Sequence, residues 1–244
     1  MIGVLGGMGP LATLDFFGKV LAATPARGDA DHVPLLIQSD PRIPMRPAAI
    51  LGDGRSPLPE LMTGRDRLIA AGATALAMPC NTAHFWFSAL SAGCPVPFIS
   101  IVDACVAELA PILAAGGSVG LIATRATLAG RIFNEPFMQA GYTVLMPDDD
   151  LQGRLVLPGI ELVKAGQTQQ AGPLVEQAVQ ALLNQGADAV VLACTETPVA
   201  LDAVQSPLRA RCVDSTAALA RACVAWWLAN RDNRALNPDP ANPG

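Results

Sequence analysis

The chain has 244 residues, a net charge of −5 and a pI near 4.9, with 51% hydrophobic and 15% charged residues. There is ample apolar area for one large core or two of roughly 100 residues each, and an acidic balance without a Lys/Arg stripe argues against a nucleic-acid surface. No apolar run reaches the length of a membrane span, and the N-terminus enters an apolar strand with no basic leader, so a soluble, cytoplasmic chain without a signal peptide is expected.

Short apolar runs alternate with helical patterns along the chain. Residues 2–6, 33–38, 74–78 and 97–102 read as buried strands. Residues 11–23 read as a helix with Leu14, Phe17 and Leu21 at helical spacing and Asp15 and Lys19 as an i,i+4 pair. Residues 57–71 and 83–92 read as further helices. The alternation resumes with strands near 118–123, 142–146, 188–193 and 211–213, and helices near 127–140, 151–165, 173–185 and 215–229. Repeated βα units predict an α/β fold of parallel sheets covered on both faces. Pro111 and Gly116-Gly117 mark a boundary within 103–117. Arg211-Cys212-Val213-Asp214 resembles Ser100-Ile101-Val102-Asp103, which suggests that the chain returns to its first half. The expected division is therefore 1–102 plus 209–229 as a first α/β domain and 103–208 as a second. Residues 230–244, rich in Asn, Pro and Asp, are expected to be disordered.

One pattern occurs twice. Gly72-Ala73 leads through an apolar run to Cys80-Asn81-Thr82, and Gly186-Ala187 leads through another to Cys194-Thr195-Glu196, with the same spacing in both copies. Ile2-Gly3-Val4-Leu5-Gly6 pairs in the same way with Val119-Gly120-Leu121-Ile122-Ala123. Two similar halves, each with a thiol at the end of a strand, place two thiols across a shared cleft, an arrangement suited to moving a proton from one face of a carbon to the other. Either cysteine alone reads as a buried structural thiol; two in register within a duplication read as a functional pair. At the carboxyl end of a parallel strand and the start of a helix, a thiolate is favoured by backbone N–H groups and the helix dipole. Asn81, Thr82 and Thr195 stand ready to hydrogen-bond a carboxylate or amino group beside them. The other four cysteines, Cys94, Cys105, Cys212 and Cys223, read as small hydrophobes, and all six as reduced thiols.

Three weaker patterns keep alternatives open. Gly7-Met8-Gly9-Pro10-Leu11-Ala12 formally matches a dinucleotide fingerprint, yet no ribose-binding acid ends the second strand, and a plain strand-to-helix turn with Pro10 at the first helical position explains it. A small anion at that helix N-terminus is a third reading. His84 lies four residues after Cys80 and the only other histidine is His32, with no Cys-x-x-Cys spacing, so no metal site is expected. His84 reads as orienting its loop or capping a helix, with direct proton transfer the second choice; Glu196 supports the second thiol or holds a helix N-terminus.

Together Gly6-Gly7-Met8-Gly9-Pro10-Leu11-Ala12-Thr13, Pro79-Cys80-Asn81-Thr82-Ala83-His84 and Cys194-Thr195-Glu196 resemble the aspartate/glutamate racemase family of cofactor-independent amino-acid racemases. The resemblance spans residues 2 to about 226. It implies two α/β domains related by a pseudo-twofold axis, an active site between them, Cys80 and Cys194 as the catalytic pair, no cofactor, a dicarboxylic amino acid as substrate and a homodimer. By the same resemblance Ile43-Pro44-Met45-Arg46 and the segment ending Lys164-Ala165-Gly166 bring Arg46 and Lys164 to the substrate carboxylates. Met8, Thr124 and Thr127 join Asn81, Thr82 and Thr195 as substrate-binding candidates. Three departures stand out: Met45 where the family has an acid, Pro47 where Thr is common, and Ala193 in place of Gly before the second cysteine. The rival readings are a racemase or isomerase of a hydantoin, malonate or maleate on the same fold, a non-catalytic small-anion binder, and a nucleotide-dependent oxidoreductase.

Overall fold

The computed structural model describes residues 1–114 and 116–235. β1 (Ile2–Gly6), β2 (Leu35–Ser39), β3 (Ala75–Ala77) and β4 (Phe98–Ile99) make one sheet; β5 (Ser118–Ala123), β6 (Thr143–Leu145), β7 (Ala189–Ala193) and β8 (Cys212–Asp214) make another. The strand orders are β2-β1-β3-β4 and β6-β5-β7-β8, with every pairing parallel. The sequence duplication is thus a duplication of topology. Parallel neighbours need long crossovers, and helices supply them within each sheet, while α5 links the two sheets and α12 follows the last strand; the helices among the described residues are α1 (Pro10–Ala23), α2 (Arg46–Leu51), α3 (Leu58–Ala70), α4 (Phe87–Ser91), α5 (Ile101–Leu109), α6 (Arg125–Ala129), α7 (Asn134–Gln139), α8 (Asp149–Leu151), α9 (Leu157–Lys164), α10 (Thr168–Asn184), α11 (Glu196–Ala203) and α12 (Ser215–Ala235).

Side chains alternate across each strand, and this alternation divides the interior into three cores. Ile2 and Val4 of β1 and Val119, Leu121 and Ala123 of β5 face a shared central core with Phe16 of α1, Ile101 and Leu109 of α5 and Leu219 of α12. Leu5 and Leu76 turn to an outer core under α3, while Ile122, Val190 and Leu192 turn to another under α9 and α10. The two sheets therefore share a middle layer of helices. Lys19 of α1 adds a polar tie, its Nζ standing 2.8 Å from the buried carboxylate of Asp214 at the end of β8.

Several expectations need correction. α1 begins at Pro10 as expected, but Leu14 is 65% exposed and Phe17 and Leu21 are also exposed, whereas Ala12, Thr13, Phe16 and Val20 make the buried face. The helix is apolar on more than one side, so spacing alone does not pick the inner face. The expected strand 97–102 shrinks to two residues because Ser100 caps α5, its hydroxyl accepting from Asp103 N–H. α2 lies in a stretch for which no helix was expected; Pro47 sits in its first turn and Gly52 ends it at φ 96°, the usual asymmetry of helix ends. Residues 209–229 do not all return to the first half: β8 pairs with β7 and completes the second sheet, and only the following α12 packs on α1 and α5. α12 also continues through Ala235, past the expected start of the tail at residue 230; residues 236–244 lie outside the described part. Among the described residues, no helix is long and apolar enough to cross a membrane.

The buried face of α1 is open to test by urea denaturation. Phe16→Ala is expected to lose about 3–5 kcal/mol as a large core truncation, while Leu14→Ala stays within about 0.5 kcal/mol. Comparable losses at both positions would restore the Leu14 face.

Candidate active site

In a parallel sheet ligands lie beyond the carboxyl ends of the strands, where neighbouring crossovers diverge. Each sheet here has one such point, between β1 and β3 and between β5 and β7, and the two face each other. The cavity between them, about 100 Å³, is lined by Met8 after β1, Cys80, Asn81 and Thr82 after β3, Thr124 after β5, and Cys194, Thr195 and Glu196 after β7. Gly7 makes the first turn possible: its φ is +92°, and a Cβ there would stand 2.3 Å from the Asp40 backbone nitrogen. Arg46 and Lys164 complete the wall, together with Met45 and Pro47. These last two were noted in the sequence only as departures from the family pattern; their position next to Arg46 was the available signal.

The two thiols share the cavity but not their surroundings. Burial pushes the Cys80 thiol up, while the adjacent Arg46 guanidinium and the Ala83 N–H pull it back. Burial pushes Cys194 well above the ordinary thiol range, and the Glu196 carboxylate pushes it further. Cys194 Sγ donates to Glu196 Oε2 at 3.0 Å, and Thr195 Oγ1 donates to the same oxygen at 3.0 Å. Glu196 is also the first residue of α11, where the helix dipole favours an anion, so both roles read for it coexist. Against the expectation that the strand-end position favours thiolates, desolvation pushes both thiols up, Cys194 further than Cys80.

Buried polar atoms of cavity-lining residues are left without protein partners. Both the Oδ1 and Nδ2 atoms of buried Asn81 are unpaired, as is Arg46 Nε. Arg46 Nη1 is held by the Ile43 and Pro44 carbonyls, each at 3.0 Å, so the guanidinium is braced from behind and is no free surface arginine. Lys164 stands at the rim, 49% exposed, its Nζ 2.8 Å from Glu161; half-burial works against its charge, but the Glu161 ion pair together with nearby Glu196 and Cys194 raises its pKa. Thr127 stands one layer back: it is fully buried, away from the cavity wall, with its hydroxyl against Thr82 and Thr124. The two phenylalanines that follow His84 turn to different partners. Half-exposed Phe85 lies against Gly130 in the second half, where a Cβ would come within 2.9 Å of its ring, and Phe87 stacks on His84. Among the described residues, no group of three His, Cys, Asp or Glu side chains is arranged to hold a metal ion.

His84 also lies behind the wall, and its chemistry is decided by two backbone groups. Ile101 N–H donates to Nε2 at 3.1 Å, so the ring proton sits on Nδ1 and is donated to the Cys80 carbonyl at 2.8 Å. With both nitrogens committed to backbone groups, His84 ties the Cys80 loop to the first turn of α5 and accepts from a helix N–H there. Burial lowers its pKa from 6.5 to about 4. Because the unfolded chain protonates first, the contribution of His84 to stability is complete above pH 6.5 and is lost as pH falls toward 4, by about 3 kcal/mol. Urea denaturation at pH 7 and pH 4.5 should show a smaller pH dependence in His84→Asn than in the parent chain; equal pH dependence would contradict the neutral, buried ring.

Comparison with known proteins extends the likeness over nearly the whole chain. A family model described as Asp/Glu/Hydantoin racemase matches residues 5–223. The chain is 29% identical over 233 residues to the broad specificity amino-acid racemase RacX of Bacillus subtilis (strain 168), covering 94% of this chain and 99% of that protein. Picrophilus torridus aspartate racemase superposes with a TM-score of 0.79 at 31% identity, covering 92% of this chain and 93% of that one. Glutamate racemase from Francisella tularensis, solved with D-glutamate, shares the fold with a TM-score of 0.68 at 17% identity, covering 94% and 81%. The match crosses both halves and takes in both strand-end cysteines, and the chain therefore belongs to the Asp/Glu/hydantoin racemase family and is a racemase.

Proposed function

We propose that the protein inverts the α-carbon of an acidic amino acid, aspartate or glutamate, with Cys80 and Cys194 as base and acid. The observation that carries this reading is the meeting of the two thiols in one small cavity, each at a strand end from a different half. In one direction the Cys80 thiolate takes the α-proton, the electron pair is held as an enolate-like carboxylate, and the Cys194 S–H delivers a proton to the opposite face. The cycle ends with Cys80 as thiol and Cys194 as thiolate, and the reverse direction exchanges the roles. The two thiols thus provide the acid and the base, and the reading calls for no cofactor. Arg46, beside Cys80, favours its thiolate form and stands near developing negative charge. Asn81, with an unpaired amide donor and acceptor, suits the carboxylate and amino groups of the substrate. Lys164 at the rim meets the second carboxylate. Both thiols must stay reduced, which supports a cytoplasmic enzyme.

A second reading rests on the side-chain end of the site. Only Lys164 answers a distal carboxylate, and it is already paired with Glu161, while Met45 and Pro47 add apolar wall. RacX of Bacillus subtilis is named for broad specificity. Other amino acids belong in the first substrate panel for these reasons.

The test is deuterium exchange at the α-carbon by NMR in D2O, with each enantiomer of aspartate and glutamate and no added cofactor. Exchange with inversion is expected for at least one pair; silence with all four would move the substrate to another small acid. Cys80→Ser and Cys194→Ser should each cut racemisation about 100- to 10,000-fold, and full activity in either variant would sink the two-thiol scheme. The pH profile tests the asymmetry. In kcat/KM the acid limb follows ionisation of Cys80 and the alkaline limb loss of the Cys194 proton. Glu196→Gln removes a carboxylate that raises both, more strongly Cys194, so both limbs should move to lower pH and the alkaline limb should move further. An unmoved alkaline limb would remove Glu196 from this role.

A further inference from the structure

Three hydroxyls meet at the junction of the halves. Thr82 Oγ1, from the first half, lies 2.9 Å from Thr127 Oγ1 and 3.4 Å from Thr124 Oγ1; the last two, from the second half, are 3.0 Å apart. Thr82 and Thr124 line the cavity, and Thr127 does not. A hydroxyl gives one proton and accepts up to two, so three mutual contacts leave open whether the protons circulate within the cluster or point into the cavity. The backbone decides for one member. Thr127 N–H donates to Thr124 Oγ1 at 3.2 Å, the cap of α6, and so fills an acceptor position on Thr124 without using a hydroxyl proton. The Thr127 O–H then has Thr82 Oγ1 as its nearest acceptor.

We propose that Thr127 is a positioning residue: by donating its N–H to Thr124 and its O–H to Thr82, it frees both of their protons to converge on a carboxylate in the cavity. The pair of donors exists only while the halves are closed, since Thr82 and Thr124 come from opposite sides of the cleft. In the absence of a carboxylate, the Thr124 proton rests on Thr127 Oγ1, and an anion draws it outward. This inference rests on the reading of the cavity as an amino-acid site, and it assigns Thr127 no direct contact with substrate.

Thr127→Val keeps the shape and the N–H but removes the O–H; Thr127→Ser keeps both donors. The readouts are KM and kcat for the amino acid that the parent enzyme racemises, and the Kd of succinate, a dicarboxylate with no α-amino group, by calorimetry. In Thr127→Val the acceptor vacated on Thr82 Oγ1 is left to the Thr124 O–H, 3.4 Å away, which diverts one proton from the cavity; both KM and the succinate Kd should therefore rise about 10- to 100-fold, the worth of one hydrogen bond to an anion. kcat should change much less, because the donor serves ground state and transition state alike. Thr127→Ser should stay within about threefold of the parent for the same reason. Parent-like affinity in Thr127→Val, or equal loss in Thr127→Val and Thr127→Ser, would overturn the proposal, the second outcome by making packing responsible. If Thr127→Val does not fold, Thr127→Ala removes the same hydroxyl without adding bulk and is read in the same way. A parent protein that binds succinate but racemises nothing refutes the parent reading alone, with the succinate affinities still deciding the role of Thr127; one that binds no succinate overturns this inference.

Discussion

Burying two thiols in one small cavity sets the terms for everything around them. A thiolate in a dry site is expensive, and desolvation is the first cause of the raised pKa at both Cys80 and Cys194. The proposed proton transfer needs one member ionised and the other protonated, so burial alone would leave both inert. The asymmetry comes from neighbours: a braced guanidinium beside Cys80 and a carboxylate hydrogen-bonded to Cys194. One charge of each sign polarises two otherwise equivalent strand ends.

Those neighbours are placed by the architecture. Each half carries the same strand order, and the divergence of crossovers at β1/β3 and β5/β7 opens one crevice per sheet. The shared central core and the Lys19–Asp214 ion pair bring the two crevices together. At the seam itself the contacts are small and polar or aromatic: the threonine cluster, and Phe85 over Gly130.

His84 shows how a polar group beside the thiols is kept neutral. Its two nitrogens are occupied by the Cys80 carbonyl and the Ile101 N–H, and burial holds the ring neutral. Its work is to fix the loop that carries the first thiol. Gly7 acts in the same spirit on the other side of the cavity, letting the β1 turn pass against the Asp40 backbone where no side chain fits.

The duplicated strand-cysteine pattern made the α/β class, the two sheets and the pair of thiols legible before any coordinates, because strand runs and their turns are local and the copies reinforce each other. Asn81, Thr82 and Thr195 were legible from their place beside the two cysteines, Arg46, Lys164 and Thr124 through family motifs, and all of them line the cavity. What sequence left undecided is what depends on contacts between distant segments. Which face of α1 is buried was settled by packing against α12, since Leu14 and Phe16 are equally apolar in composition. The sheet that β8 joins was settled by its pairing with β7, which a local likeness to residues 100–103 could not reveal. Sequence determined which groups are present at the strand ends; only the tertiary structure decided their protonation, because desolvation and the Arg46 and Glu196 fields depend on what surrounds each sulfur in space.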